Sequence, residues 1–212
     1  MEDDTNAKFQ KKTYWDDRFA EEEEYDWLLK YEDVADSVTP LLDYNFSILI
    51  VGCGNSTFSR QLFDAGYTNI INIDYSGVVI EHMRKLHSDV GDRMTWLEMD
   101  MTDLSFDNCS FDVVIDKAAM DALMVTEGDV WNPDEEVISA SHKMCCEVRR
   151  VLKTEGGKFI QISFAQPHFR TKYLMGYRAK SISVSPFESH QGHSDVYQWD
   201  LNSGTISKKN GC

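Results

Sequence analysis

An apolar run that leads into a Gly-x-Gly turn constrains this chain more than any other feature. Residues 46–51 read Phe-Ser-Ile-Leu-Ile-Val, Gly52 and Gly54 follow, and helical spacing begins at about Ser56. A nearly continuous apolar run is typical of a central parallel strand that is covered on both faces. Two glycines let the backbone turn sharply and approach a ligand closely. The stretch therefore predicts a strand, a tight turn and a helix.

An acidic residue follows this turn at a spacing that indicates a nucleoside cofactor. Asp74 lies twenty positions after Gly54, at the end of a second apolar run over residues 69–73. A carboxylate at this place can accept hydrogen bonds from both hydroxyls of a ribose. Two cofactors fit this much of the pattern, a nicotinamide dinucleotide and S-adenosylmethionine.

The residue after the turn favours the second of these cofactors. The dinucleotide fingerprint requires a third glycine, so that helix and strand pack closely and the pyrophosphate reaches the helix N-terminus. Position 57 is Thr57, and the chain has no obvious pyrophosphate clamp. S-adenosylmethionine carries no phosphate, so we expect this methyl donor rather than NAD. A purely structural βαβ turn is the alternative.

Length and composition predict one globular domain over residues 1–212. The chain is 42% hydrophobic and 27% charged, and no apolar run approaches the ~20 residues of a membrane span. The five cysteines are odd in number and contain no C-x-x-C pair, so we expect reduced thiols and no metal site. An acidic start without signal-peptide features predicts a cytoplasmic protein, and a monomer is favoured.

The formal net charge of −15 argues against nucleic acid as a direct partner, because phosphate binding depends on Lys and Arg. A basic protein substrate is compatible with this charge. An acidic surface also keeps a protein soluble, so the charge by itself does not identify a partner.

Residues 1–36 form an acidic arm with interleaved aromatic residues. They contain thirteen Asp or Glu and five Lys or Arg, and residues 21–24 are all Glu, a run typical of a solvated face. Trp15 and Phe19 share one helical face, and Trp27 follows. Disordered tails contain few aromatics, so we expect the arm to dock on the domain. It would either pack on the core or close over the cofactor.

A third strand over residues 94–99 ends at Asp100 and Met101. The exocyclic amine of adenine is a donor and its ring nitrogen is an acceptor. A side-chain carboxylate from Asp100 followed by the backbone N–H of Met101 would read both groups. The alternative is that Asp100 caps the following turn.

A fourth strand over residues 111–116 brings Asp116 and Lys117 to the carboxyl edge of the sheet, where ligands bind in open α/β folds. Asp116 could orient an acceptor amine for catalysis. The alternative is that its carboxylate pairs with Lys117 or caps a helix.

The remaining pattern predicts an α/β, Rossmann-like, mostly parallel sheet of seven strands with helices on both faces. A long helix is expected over residues 134–152 and a fifth strand over 158–164. Two further strands, over residues 181–184 and 196–201, are expected to form an antiparallel hairpin at the C-terminal edge of the sheet.

With these residues in view, the chain resembles the seven-strand S-adenosylmethionine-dependent methyltransferases. Among them it is similar to the eukaryotic protein-lysine methyltransferases that act on translation elongation factor 1-alpha. The general glycine turn is widely shared, whereas the aromatic arm and a Pro-His-Phe-Arg segment are specific. The segments that carry the resemblance are residues 14–19, 25–27, 51–56, 74–76, 116–123 and 167–171.

The resemblance implies a set of cofactor contacts and a basic protein substrate, elongation factor 1-alpha. Two departures from the family pattern stand out. Phe19 replaces a usual tyrosine, and residues 118–120 read Ala-Ala-Met instead of Gly-Thr-Leu, which alters the floor of the acceptor channel. The implied contacts are Trp15, Phe19, Trp27, Gly52, Asp74, Tyr75, Asp100, Met101 and Lys117.

Three functions remain open at this point: a protein-lysine methyltransferase, a methyltransferase of a small metabolite, and a non-catalytic adaptor. An adaptor is expected to have lost cofactor residues, yet Gly52, Gly54, Asp74 and Asp100 are all present. A metabolite requires a closed acceptor pocket, whereas a lysine requires a narrow channel that opens onto a protein-sized surface. The Asn-Pro-Pro-Tyr signature of nucleobase and glutamine methyltransferases is absent.

Overall fold

A computed structural model of the chain describes residues 6–126, 128–129, 132–174, 197–200 and 205–208. Of the helices within these ranges, none is both long enough and apolar enough to cross a membrane.

Five parallel strands form the centre of the main sheet. The strands of the chain are β1 (Ile48–Val51), β2 (Ile70–Asp74), β3 (Met94–Glu98), β4 (Val113–Lys117), β5 (Gly128–Asp129), β6 (Asn132–Pro133), β7 (Lys158–Ile162), β8 (Tyr197–Asp200) and β9 (Thr205–Lys208). The main sheet has the order β3-β2-β1-β4-β7-β8-β9, and β5 and β6 pair separately. The first five strands of this order run parallel, while β8 pairs antiparallel with both β7 and β9.

Helices connect and cover the strands. They are α1 (Lys12–Glu21), α2 (Tyr31–Val38), α3 (Phe58–Asp64), α4 (Gly77–Leu86), α5 (Ala119–Leu123), α6 (Glu135–Val151) and α7 (Pro167–Leu174). Short 3-10 segments lie at Ala7–Gln10, Thr39–Leu41 and Ser88–Arg93. The side chain of Ser76 accepts a hydrogen bond from the backbone of Val79 and so fixes the start of α4.

Strand β1 is buried on both faces of the sheet, as its continuous apolar run predicts. Ile48 and Ile50 join a core with α2, α3 and α4, whereas Leu49 and Val51 join a second core with α6. Successive side chains of a strand point to opposite faces, so four consecutive apolar residues supply both cores. The prediction of an α/β fold with a parallel sheet is confirmed.

The C-terminal part of the sheet differs from the expectation. Strand β7 ends at Ile162 instead of residue 164, because its partner β4 ends at Lys117, the residue paired with Ile162. Of the two strands predicted for this hairpin, the one over residues 196–201 is present as β8. Strand β8 pairs with β9, and residues 181–184 lie outside the described residues.

The strand order places the carboxyl end of β1 at a topological switch point. Strands β2 and β3 lie on one side of β1, while β4 and β7 lie on the other. Connections diverge here, and the crevice that they leave is where ligands bind in open α/β sheets.

Candidate functional site

A cavity of about 650 Å³ opens at the carboxyl edge of the sheet. Its size is within the usual range for small-molecule sites. The five parallel strands each deliver residues to it, and the N-terminal arm covers it from the other side. The residues with a role below are Phe9, Trp15, Phe19, Tyr25, Trp27, Gly52, Gly54, Asp74, Tyr75, Asp100, Met101, Lys117, Ala118, Ala119, Asp121 and Phe164.

The turn after β1 has the backbone geometry that its two glycines predict. Gly52 and Gly54 have φ angles of 59° and 52°, in the left-handed region that favours glycine. The backbone N–H of Gly54 donates a hydrogen bond to the carboxylate of Asp74 at 3.0 Å. This bond holds the turn against the end of β2.

Asp74 is buried at the end of β2, at the position that the sequence predicts. One carboxylate oxygen accepts the Gly54 bond, and the other accepts a hydrogen bond from the backbone of Ser76 at 2.9 Å. Burial raises the pKa of Asp74 to about 6, although both hydrogen bonds oppose this increase. A carboxylate offers about four acceptor sites, so Asp74 can still accept hydroxyl donors from a ligand.

Asp100 and Met101 line the cavity, and Asp100 also caps a turn. One carboxylate oxygen of Asp100 accepts hydrogen bonds from the backbone and the hydroxyl of Thr102, at 2.8 and 2.9 Å. The capping alternative therefore describes the geometry of Asp100. Its exposed position on the cavity wall leaves it accessible to a ligand.

Asp116 does not have the placement that an amine-orienting group requires, and this expectation is corrected. The residue is 1% exposed and does not line the cavity. Its carboxylate accepts hydrogen bonds from the backbones of Ala119 and Met120 and from the side chain of Gln161. Asp116 therefore caps the start of α5, which was the alternative. Burial raises its pKa to about 6.

Lys117 lines the cavity, but its ammonium group binds the arm. The Nζ atom lies 3.2 Å from Oδ1 of Asp26 and donates to the carbonyl of Trp27 at 2.9 Å. Both charged side chains are more than nine-tenths buried. Burial lowers the pKa of Lys117, while the charge of Asp26 raises it. The resemblance implies a cofactor contact for Lys117, and in the structure its ammonium group is bound within this ion pair while the residue lines the cavity.

Asp26 connects the arm to the glycine turn as well as to β4. Its carboxylate accepts hydrogen bonds from the hydroxyl of Ser56, and from the hydroxyl and backbone of Thr57 at 2.6 and 3.3 Å. Burial opposes ionisation, yet these bonds and the Lys117 charge hold the pKa of Asp26 below its usual value. Asp26 with Lys117 is called the latch below.

Two more carboxylates of the arm bind the domain. The hydroxyl of Ser76 donates to Asp16 at 2.6 Å, and the side chain of Asn55 donates to both the backbone and the carboxylate of Glu22 at 3.2 Å. Sequence reasoning assigned the acidic residues to a solvated face or to solubility. The interleaved aromatic residues predicted docking of the arm, but no local pattern distinguished the carboxylates that bind the domain from those that face solvent.

Aromatic side chains of the arm form an apolar wall of the cavity. The ring of Trp15 stacks on Phe19 with 5.5 Å between centroids and meets Trp27 edge-on at 6.1 Å. Phe9 also contacts Trp27, at 5.8 Å. Phe19 is buried and belongs to the core that covers one face of the sheet. Trp15 and Phe19 therefore lie on one face of α1, as expected. This face packs against the core and also lines the cavity.

Charge in the cavity is strongly biased towards carboxylates. Among the described residues that line it, Lys117 is the sole cation, and its charge is paired within the latch. The described lining also contains five acidic residues, namely Asp74, Asp100, Asp121, Asp134 and Glu136. The cavity therefore has an electrostatic preference for a cationic ligand.

The two departures from the family pattern lie at this site. Ala118 has a φ of 66°, a left-handed conformation that favours the glycine found there in the family. Ala118 and Ala119 both line the cavity, whereas Met120 is fully buried outside it. The altered floor thus comprises two small side chains.

Comparison with known proteins places this geometry in a family. Residues 48–156 match the family described as methyltransferase domain. The chain is 36% identical over 171 residues to EEF1A lysine methyltransferase 4 of Bos taurus, covering 79% of this chain and 66% of that protein. It is 34% identical over 170 residues to the eEF1A lysine and N-terminal methyltransferase of Homo sapiens, covering 79% of this chain and 23% of that protein.

Similarity of fold extends beyond these relatives. A solved structure of a protein from Pyrococcus horikoshii has a TM-score of 0.51 and 20% identity, covering 84% of this chain and 72% of the other. The chain belongs to the methyltransferase domain family. It spans slightly less than two thirds of one curated relative and about a quarter of the other.

Proposed function

We propose that this chain is an S-adenosylmethionine-dependent protein-lysine methyltransferase that acts on translation elongation factor 1-alpha. The observation that carries the proposal is an acidic, aromatic cavity at the carboxyl edge of the sheet, with Asp74 at the end of β2. The relatives named for lysine methylation of eEF1A support the choice of substrate.

The charge of the cavity supports this cofactor over NAD. S-adenosylmethionine carries a sulfonium cation, which both the carboxylates and the aromatic rings of the site would attract. NAD carries a pyrophosphate, and the cation on the described cavity wall, Lys117, is already paired with Asp26. A pyrophosphate in this cavity would meet uncompensated negative charge.

We propose the following contacts for the cofactor. The ribose hydroxyls bind Asp74, beside Tyr75, and the adenine binds Asp100 and the backbone of Met101. The glycine turn lies against the cofactor, because Gly52 and Gly54 line the cavity and carry no side chain. The rings of Trp15, Phe19 and Trp27 then close over it and exclude water.

The bound cofactor supplies an electrophilic methyl group for in-line displacement by an amine. Positioning of the amine close to this carbon accounts for much of the rate in such reactions. The acceptor lysine must be neutral to react. A dry site and a neighbouring positive charge both lower the pKa of an amine, so exclusion of water and the sulfonium charge favour the reactive form of the lysine.

We further propose that residues 1–212 act as one domain, with residues 1–36 as the arm that docks on the cofactor site. The hydrogen bonds that Asp16, Glu22 and Asp26 accept from the domain support this docking. A cytoplasmic, monomeric enzyme with a basic protein substrate is the proposal that fits the acidic composition.

A labelling experiment tests the proposed function. The purified protein is incubated with radiolabelled S-adenosylmethionine and recombinant elongation factor 1-alpha, and the modified residue is identified by mass spectrometry. We expect labelled lysine. Labelling of a small molecule in a cell extract, without labelling of the factor, would support the metabolite alternative. Cofactor binding without any transfer would support the adaptor.

The Asp74→Asn variant is expected to weaken the cofactor by about 1–3 kcal/mol, because an amide replaces a charged acceptor. The matched control is Asp92→Asn, which changes an exposed carboxylate that does not line the cavity. Calorimetric titration with S-adenosylhomocysteine measures both affinities. Equal affinities in the two variants would show that Asp74 does not bind the ribose.

Cofactor affinity is expected to fall as the pH decreases from 7 to 5.5. The pKa of Asp74 is about 6, so its carboxylate accepts hydrogen bonds fully above this value and loses that capacity as it protonates below it. The ligand has an α-amino and an α-carboxyl group, whose ordinary pKa values are about 8 and 3.5. Titration of the ligand therefore changes the affinity little between about pH 7 and 5.5. The affinity of Asp74→Asn should be nearly independent of pH there. A wild-type profile as flat as that of the variant would contradict the assignment.

A further inference from the structure

Phe164 is an exposed aromatic residue at the mouth of the cavity, directly after β7. Its side chain is 65% exposed, although it also lines the cavity. Single exposed apolar residues are common and require no explanation by themselves. Phe164 differs in two respects. Hydrogen bonds fix the turn that carries it, and its ring faces the aromatic arm across the cavity.

A network of hydrogen bonds fixes the turn that carries Phe164. The backbone N–H of Phe164 donates to Oδ2 of Asp121 at 2.9 Å. The hydroxyl of Ser163 donates to the other oxygen of Asp121 at 2.6 Å, and Arg170 forms an ion pair with that oxygen at 2.6 Å. Both charged side chains are about nine-tenths buried. The ring therefore projects from a rigid platform formed by α5 and α7.

The ring of Phe164 faces the arm across the mouth. Its centroid lies 6.5 Å from that of Trp27, with the two rings nearly perpendicular. Arg18 already lies over the rings of Tyr25 and Trp27, at 4.8 and 4.9 Å. Among the described residues, no cation lies over Phe164. The ring of Phe164 therefore offers an aromatic face at the mouth that no described cation covers.

We infer that Phe164 forms the outer wall of the acceptor subsite, where its ring packs against the alkyl chain and ammonium group of the incoming lysine. Asp121 and Arg170 act as positioning residues for this ring. The inference rests on the proposed function for the identity of the occupant. It is carried by charge complementarity, because an acidic cavity attracts the ammonium group and an aromatic face binds both the cation and the methylene groups.

Two measurements test the inference, one of which does not depend on methyl transfer. The first is an NMR titration of the protein, with S-adenosylhomocysteine bound, by butylammonium, which copies the end of a lysine side chain. The second is the KM for elongation factor 1-alpha. The variants are Phe164→Ala and Phe164→Leu, and the control is Tyr44→Ala, which removes a ring that is 64% exposed but does not line the cavity.

We expect Phe164→Ala to weaken butylammonium by about five- to tenfold and to raise KM by about tenfold, with a smaller change in kcat. Phe164→Leu should recover part of the effect, because it keeps apolar volume without an aromatic face. Tyr44→Ala should match the wild type. Affinity for S-adenosylhomocysteine should be the same in all three variants, since Phe164 and Tyr44 are both largely exposed.

The outcomes distinguish this inference from the proposed function. If butylammonium fails to bind the wild type, or binds the wild type and Phe164→Ala equally, the subsite is not at Phe164. Butanol, which lacks the charge, should bind more weakly than butylammonium, and equal binding would also overturn the inference. If butylammonium binding depends on Phe164 while elongation factor 1-alpha is not methylated, the proposed substrate is wrong and the subsite stands.

Discussion

Replacing Asp26 with Ala is expected to lower the free energy of unfolding by about 3–5 kcal/mol, the range for removing one partner of a buried ion pair. The substitution leaves the ammonium group of Lys117 buried without its counter-ion. It also removes the acceptor for Ser56 and Thr57. Urea denaturation at pH 7 measures the effect.

The destabilisation should become smaller as the pH rises. Burial already lowers the pKa of Lys117, and loss of the Asp26 charge lowers it further. Between that lowered pKa and the value of about 10.4 in the unfolded chain, the unfolded state binds more protons than the folded state. Stability therefore rises with pH in this window. A destabilisation of Asp26→Ala that grows towards pH 10 would contradict the assignment.

Two controls separate the latch from an ordinary surface pair. The double variant Asp26→Ala with Lys117→Met removes both charges, so it should be more stable than Asp26→Ala alone. Glu81→Ala breaks the exposed pair with Lys85 and should cost only about 0.3–0.5 kcal/mol. If Asp26→Ala costs no more than Glu81→Ala, the latch does not hold the arm.

Cofactor affinity should fall in Asp26→Ala, because Trp27 loses its anchor beside Lys117.

The framework of the site could be predicted from the sequence because it depends on local patterns. The apolar run before Gly52, the acid at Asp74 and the strand that ends near Asp100 each carry their signal within a few residues. Parallel strands have their carboxyl ends at one edge, so these residues had to meet there. The structure places all three at the cavity.

The latch could not be predicted, because its partners lie far apart in the sequence. Asp26 and Lys117 are 91 residues apart, and neither the acidic arm nor the end of β4 indicates the other. For Asp116, the sequence left open whether the carboxylate orients an amine, pairs with Lys117 or caps a helix. Its neighbouring helix α5 has only five residues, too few for a helical period to predict a cap.

Phe164 was assigned to a strand for a related reason. Its apolar neighbours continue the pattern of β7, but a strand requires a partner as well as a pattern. The register with β4 ends at Ile162, so the last parallel pairing lies two residues before Phe164. Strand ends depend on the length of the neighbour, which is information that a single segment does not contain.

Replacing Gly52 with Ala is expected to destabilise the protein by about 2–5 kcal/mol and to abolish cofactor binding. Two effects add. An L-residue at the φ of 59° found here costs about 1–2 kcal/mol. A Cβ atom would also lie 2.3 Å from Cβ of Ala119, and overpacking of this kind costs about 1–3 kcal/mol. Ala119 cannot retreat without breaking its hydrogen bond to Asp116, which caps α5.

A control and a rescue separate the two effects on Gly52. Gly156 has a φ of 75° and no atom within 4 Å of an added Cβ, so Gly156→Ala should show the backbone cost alone. Adding Ala119→Gly to Gly52→Ala removes the colliding atom, so the double variant should recover about 1–3 kcal/mol, corrected for the effect of Ala119→Gly alone. Urea denaturation of the four variants measures these differences. If Gly52→Ala costs no more than Gly156→Ala, or if the double variant recovers nothing, then contact between the turn and α5 does not explain the need for glycine at position 52.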